Sequence, residues 1–408
     1  MSSGEIMATR RDIATQLLKI GATAYGGPAI MGIMQTELQE KRQWVSKERF
    51  VEGLSLVNML PGATAAQLSI FLGYARGGWW GGLLGGLCFV LPGFFLLLLL
   101  TIGYAAFSVT PVLRNALYGL GPVVLAIYLV AVYRLGRNVM TTLPSVLIGF
   151  AAAALVMASP LGVAAILLLA GSVGLWLFYS RKLGSAATAT IVASLAVVHL
   201  VTRSASVSTL LPDSGAPTAP SLVGVGALLL QVGALTFGGG ISMIAFIQEQ
   251  VVRQLHWLTP QEFIDGLALG QLTPGPVLMV AAYVGYKAAG IAGAVVGAVA
   301  AFLPSFVMML AILPAFDRAR QLRWTRAALR GIAPAVIGVL AVSLVRLAPH
   351  ATPDLFAAAT LIATVVVLML WRVATIKVML LGVVVGIVRG RLLSLPGSRA
   401  LFSTVTRA

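Results

Sequence analysis

Two short stretches carry residue types in a pattern that could do chemistry. "LVNMLPGAT" runs from Leu56 to Thr64, and "LGQLTPGP" from Leu269 to Pro276. Each places a side-chain amide, Asn58 or Gln271, shortly before a Pro-Gly pair, Pro61-Gly62 or Pro274-Gly275. Proline lacks the backbone donor and glycine weakens a helix, so each pair reads as a deliberate break. A helix that restarts after a break presents backbone N–H groups without intrahelical acceptors at its partly positive end. Two such ends with neighbouring amides make a site for an anion. A single Pro-Gly in an apolar helix is more often a kink. Two at matching positions, each preceded by an amide, favour the ligand reading. Gly26-Gly27-Pro28 and Gly238-Gly239-Gly240 repeat the theme. Their small residues serve backbone access to a ligand or close helix packing, and both uses stay open.

Charged residues accompany these stretches. Arg76 and Lys287 follow matching Gly-Tyr pairs, one step out of register. They could attract an anion or extend to the interface from a helix end. Glu37 matches Glu249 and Glu52 matches Asp265, which is notable in a chain with only 12 acidic residues. These four are candidates for carrying a proton or for gating salt bridges. Helix-end placement facing water is an equal reading for Glu52 and Asp265. Enzymatic chemistry has no constellation here. His199, His256 and His350 are scattered, Cys88 is the single cysteine, and no Walker-type phosphate loop occurs. No metal site, cofactor or intrachain disulfide is expected.

The elements that must hold these residues are membrane helices. The 408 residues are 59% hydrophobic and 10% charged, against about 25% charged in soluble domains. Uncharged runs such as Gly77 to Leu113 and Asn138 to Ser180 exceed the roughly 20 residues of a spanning helix. Their lack of alternation argues against a β-barrel. The +16 formal charge fits loops that obey the positive-inside rule rather than nucleic-acid binding. The N-terminal stretch does not read as a cleavable signal. The expected fold class is an all-α polytopic membrane protein with about 12–13 membrane segments, counted by length.

The chain also repeats itself. "YGGPAIM" from Tyr25 is answered by "FGGGISM" from Phe237, and "FVEGLSLVNMLPG" from Phe50 by "FIDGLALGQLTPG" from Phe263. "RNALYGLGP" from Arg114 is answered by "RAALRGIAP" from Arg326. Residues 1–202 form a first repeat, with an extra linking helix near 183–202. Residues 203–221 form a linker and 222–408 a second repeat. Six segments, one linking helix and six more would turn the second half upside down. Inverted repeats hold substrates near the midplane between discontinuous helices. The stretch Gly53 to Ala75 is then one crossing broken near its middle or a re-entrant pair of half-helices. A single long Gly-rich helix is expected after it.

At these residues the chain resembles the chromate ion transporter family in its long, two-domain form. The motifs are "YGGP" (Tyr25 to Pro28), "KRQW" (Lys41 to Trp44), "LPGA" (Leu60 to Ala63) and "GYAR" (Gly73 to Arg76). The second copies are "FGGG" (Phe237 to Gly240), "TPGP" (Thr273 to Pro276) and "GYK" (Gly285 to Lys287). Tyr25, Ala63 and the inserted Ala75 depart from the family pattern. The resemblance implies export of chromate across the bacterial inner membrane, driven by the proton-motive force, and hence chromate resistance. The alternative is a carrier or channel for sulfate or another anion. The implied partners are chromate, protons and the bilayer; a homodimer is left open.

Overall fold

The computed structural model of the chain describes residues 3–25, 27–107, 110–159, 161–204, 220–236, 242–315, 323–371 and 373–394. All regular elements among them are helical. The linker expected at 203–221 lies mostly outside the described residues.

The first half comprises α1 (Ser3–Thr23), α2 (Gly27–Met34), α3 (Lys47–Met59), α4 (Thr64–Phe107), α5 (Pro111–Val139), α6 (Leu143–Ala158) and α7 (Val163–Phe178). Helix α8 (Arg181–Ser204) follows. The second half comprises α9 (Leu222–Ala234), α10 (Met243–Ile247), α11 (Pro260–Leu272), α12 (Val280–Ile312), α13 (Arg323–Ala351), α14 (Leu355–Leu370) and α15 (Thr375–Ser394). Matching local chemistry builds matching elements. Both α2 and α10 run on into π-helical turns, Gln35–Lys41 and Gln248–Gln254. Left-handed residues follow at equivalent places, Gln43 and His256. Ser46 then caps α3 by accepting from the Arg49 N–H, as Thr259 caps α11 by accepting from the Glu262 N–H.

The break after α3 resolves as a re-entrant pair. A Cβ on Gly53 would lie 2.4 Å from the Phe71 ring, and one on Gly266 would lie 2.3 Å from the Tyr283 ring. Helix α3 therefore runs back along the start of α4, and α11 along the start of α12. Thirteen helical residues reach about 20 Å, short of a bilayer core of about 30 Å.

A second reversal departs from the expected single Gly-rich helix. Gly77 (φ −141°, ψ 23°) and Gly78 (φ 62°, ψ −154°) interrupt α4. Ala289 (φ −147°, ψ 31°) and Gly290 (φ 63°, ψ −153°) interrupt α12 in the same way. The conformation of Gly78 and Gly290 is open essentially to glycine alone. The chain folds back there so tightly that a Cβ on Gly73 would lie 2.3 Å from the Gly81 carbonyl oxygen. The Gly285–Gly293 contact repeats this at 2.0 Å. Each of α4 and α12 is thus a short re-entrant arm (64–76, 280–288) joined to a long arm (79–107, 291–312).

The long arms show the symmetry. Gly82 packs on Leu310 and Gly86 on Phe306, so α4 and α12 cross antiparallel. Equivalent helices that run antiparallel are related by an axis in the membrane plane, which makes the halves inverted repeats. The halves are also interleaved. Gly119 of α5 meets Gly382 and Gly386 of α15, while Gly331 of α13 meets Ala170 and Gly174 of α7. Arg134 donates to the Leu368 carbonyl (2.6 Å), and Arg346 to the Val156 carbonyl (3.0 Å). Each arginine satisfies carbonyls at a helix end of the other half. Among the described residues, four helices are long and apolar enough to cross a membrane: 64–107, 111–139, 277–312 and 326–351. Shorter apolar helices, α6, α7, α9 and α14 among them, pack around these.

Inversion puts the start of α3 and the residues before α11 on opposite faces of the membrane. With Cys88 replaced by Ala, a cysteine at Lys47 or at Gln254 should react with an impermeant thiol reagent from opposite sides of sealed vesicles. Labelling of both from the same side contradicts this topology.

Candidate functional site

The two breaks meet the opposite repeat through the main chain. The Gly62 N–H donates to the carbonyl of Thr236 (2.6 Å), just past the end of α9. The Gly275 N–H donates to the carbonyl of Ala24 (3.0 Å), just past the end of α1. Thr236 and Ala24 each lead into one of the Gly-rich motifs. Both glycines sit at positive φ, +124° and +102°, where a side chain is strained. The structure therefore joins the four interrupted segments in two pairs, each across the repeats.

The surroundings of the two breaks differ. At the first, the Ala63 N–H donates to Ser305 Oγ (3.0 Å) on α12. Gln67, one turn into α4 and 0% exposed, donates from Nε2 to the Pro61 carbonyl (2.6 Å). Gln67 Oε1 is buried without a partner, as is Gln248 Oε1 at the end of α10. At the second break, Gly93 of α4 stands where Ser305 stands at the first. A Cβ there would lie 2.5 Å from the Pro274 carbonyl oxygen.

The residues singled out by sequence fall into three groups. Pro61, Gly62, Pro274 and Gly275 form the two breaks. Of the amides before them, Asn58 is exposed and donates to the Leu54 carbonyl of its own helix (2.8 Å). Gln271 donates instead to the Tyr128 hydroxyl (2.8 Å) on α5. Gly26, Gly238 and Gly239 lie outside the described residues, and Gly27 opens α2. Arg76 and Lys287 are at the far ends of the re-entrant arms, about 20 Å along the helix from the breaks. Arg76 is exposed; Lys287 pairs with Glu262 (2.6 Å) and lies 5.9 Å above the Tyr104 ring.

The four acids also part company. Glu37, outside the candidate spans, pairs with Lys41 (2.6 Å), whose hydrogen bond holds its carboxyl below the usual carboxylate range. Glu52 pairs with Arg49 (3.0 Å). Glu249 takes Arg253 (3.1 Å) and Arg346 (3.0 Å). Asp265 is only 6% exposed, against the reading of a carboxylate facing water. It accepts from the Tyr104 hydroxyl (2.9 Å) of the other repeat and from Gln261 Nε2 (3.1 Å). Tyr283 packs on Tyr104 and donates to the Glu262 carbonyl.

Gln67, Ser305, Tyr104 and Arg346 are absent from the sequence reading. Gln67 had a signal, an amide inside a run without charges and five residues past the break. Tyr104 had none, because its partner lies 161 residues away. Among the described residues, no cluster of His, Cys, Asp and Glu could hold a metal ion.

With this geometry in place, comparison with known proteins is informative. The chromate transporter family matches twice, over residues 11–175 and 223–387, one match in each repeat. A chromate transport protein of Cupriavidus metallidurans is 30% identical over 365 residues, 89% of each chain. A probable chromate transport protein of Synechococcus elongatus is 32% identical over 355 residues, covering 85% of this chain and 86% of that one. A chromate transport protein of Pseudomonas aeruginosa is 31% identical over 345 residues, covering 82% and 80%. No solved structure matches the chain.

The unequal breaks should respond unequally to one methyl group. At Gly62 a Cβ meets Ser305 Oγ at 2.3 Å and Gln67 Nε2 at 2.7 Å, while at Gly275 none of the described residues lies within 4 Å. Gly275→Ala should cost only backbone strain, about 1–3 kcal/mol. Gly62→Ala should lower the detergent melting temperature further. Equal losses would show that the first break has room to spare.

Proposed function

The chain belongs to the chromate transporter family, and from that premise we propose that it is a secondary active carrier. It exports chromate across the bacterial inner membrane at the expense of the proton-motive force. The observation that carries this reading is the crossing of two inverted re-entrant hairpins. A multi-pass protein that interrupts four helices and ties them in pairs across its repeats exposes helix ends that need a polar occupant, and a tetrahedral oxyanion supplies it.

The ion is placed against the first turns that restart after Pro61-Gly62 and Pro274-Gly275. The N–H groups of Gly62 and Gly275 are committed to the opposite repeat, so the donors left for the ion are those of the following turn and nearby hydroxyls. Asn58 and Gln271 approach from the ends of α3 and α11. Exchange of sides then follows if the re-entrant arms rock against the long arms about the glycine contacts.

Proton coupling is assigned to Asp265 rather than to Glu37. Asp265 is buried at a junction between repeats, where a change of charge alters the contact between α11 and α4. Glu37 is a half-exposed acid tied to a lysine one turn away. Glu249, held by two arginines, reads as a structural pair.

Purified protein in liposomes should move chromate faster when a pH gradient is imposed, with sulfate as the control anion. Asp265→Asn should still move chromate but lose most of the acceleration by the gradient, whereas Glu37→Gln should keep it. A gradient response retained by Asp265→Asn removes that residue from coupling. Sulfate transport without chromate transport removes chromate as the substrate.

A further inference from the structure

Gln67 is the feature of the first break that binding a bare dianion does not use. Its side chain is wholly buried, its Nε2 is committed to the Pro61 carbonyl, and its Oε1 has no partner. The nitrogen bonds back to the residue before Gly62, and the oxygen shares its carbon, so this unpaired acceptor belongs to the N-terminal end of the 64–76 arm. The N–H groups of Thr64, Ala65 and Ala66 at that end have no intrahelical acceptor. Exchanging the two amide atoms gives no relief, because it would set oxygen against the Pro61 carbonyl oxygen.

A buried acceptor left without a donor is costly. An oxyanion with every oxygen ionised has no donor to offer and would be repelled by Oε1. An oxyanion that carries one proton matches the place on both counts. Its ionised oxygens take the helix-end N–H groups and its hydroxyl donates to Oε1. Ser305 Oγ, which accepts from the Ala63 N–H, keeps its own proton to donate. The second break offers no such acceptor. Met279 and Val280, which answer Gln67 in the repeat, are apolar and buried.

We propose that the site at the first break takes the singly protonated form of its oxyanion, hydrogen chromate, and that Gln67 is the residue that separates chromate from sulfate. This rests on the chromate reading above. Chromate takes up a proton near neutral pH, whereas sulfate does so only in strong acid. A site with a lone acceptor therefore selects between two ions of the same shape by their protons.

The test is equilibrium dialysis of the detergent-solubilised full chain against chromate or sulfate, without a gradient, at pH values on both sides of chromate's protonation. Titration of protein groups acts on both anions, so sulfate reports it. Chromate affinity should fall, beyond any change seen with sulfate, by roughly tenfold per pH unit on the alkaline side. Gln67→Met should weaken chromate binding on the acid side by about tenfold, or 1.4 kcal/mol, and abolish the extra pH dependence. The parent comparison stands even where the variant fails to fold. Equal pH dependence of the two anions in the parent overturns the proposal, and Oε1 then holds only a water. So does a folded Gln67→Met that keeps the parent's chromate profile. Absence of chromate binding at every pH overturns the chromate reading itself.

Discussion

Everything in this structure depends on where interrupted backbone finds its hydrogen bonds. In hydrocarbon an N–H without an acceptor is costly, so a helix cannot stop inside the membrane unless something else completes it. Here the completion is reciprocal. The Gly62 N–H reaches the carbonyl beyond α9, and the Gly275 N–H reaches the carbonyl beyond α1. Each break is thus closed by the other repeat. A half of this chain on its own would leave both kinds of group unmade, the broken hairpin lacking its acceptor and the first helix lacking its donor.

Glycine spacing turns that constraint into a shape. The reversals at Gly78 and Gly290 bring two helix backbones together, and no side chain fits at the contacts of Gly73 with Gly81 and Gly285 with Gly293. Such contacts gain dispersion and are the usual means of helix association in lipid. They also leave smooth surfaces. A re-entrant arm held by glycine against a long arm can slide or tilt with few interlocked side chains to disengage. The specific polar ties join other pairs of elements, Tyr104 of α4 with Asp265 of α11 and Arg346 of α13 with Glu249 after α10.

Much of this was legible in the chain. The duplication, the Pro-Gly breaks and the inverted relation follow from repeated residues and from the number of apolar segments. The re-entrant pair was one of two readings, since periodicity cannot tell a broken crossing from a hairpin of half-helices. The reversals were missed because Gly77-Gly78 and Gly290 sit in runs already rich in glycine, where a turn and a packing surface look alike. Asn58 and Gln271 matched in sequence yet face different surroundings, exposed on its own helix in one case and bonded to Tyr128 in the other. A repeat preserves backbone placement better than it preserves the partners of a side chain, because those come from the other half.

That divergence bears on how an inverted protein can work in one direction. Two identical halves would present the same site to both faces, and nothing in the protein would distinguish import from export. The differences that matter at the breaks are of residue type on a similar backbone. Gln67 stands opposite apolar Met279 and Val280, and Ser305 stands opposite Gly93. Asp265 bonds across the repeats to Tyr104, while Glu52 pairs with Arg49 on its own helix. The polar atoms gather at the first break and the buried acid at the second hairpin. On the proposed reading, one half offers partners for an anion and the other offers a group whose charge can change. Coupling of anion to proton, as proposed, needs two such unlike sites to move together, and the packing of α4 on α12 links the elements that carry them.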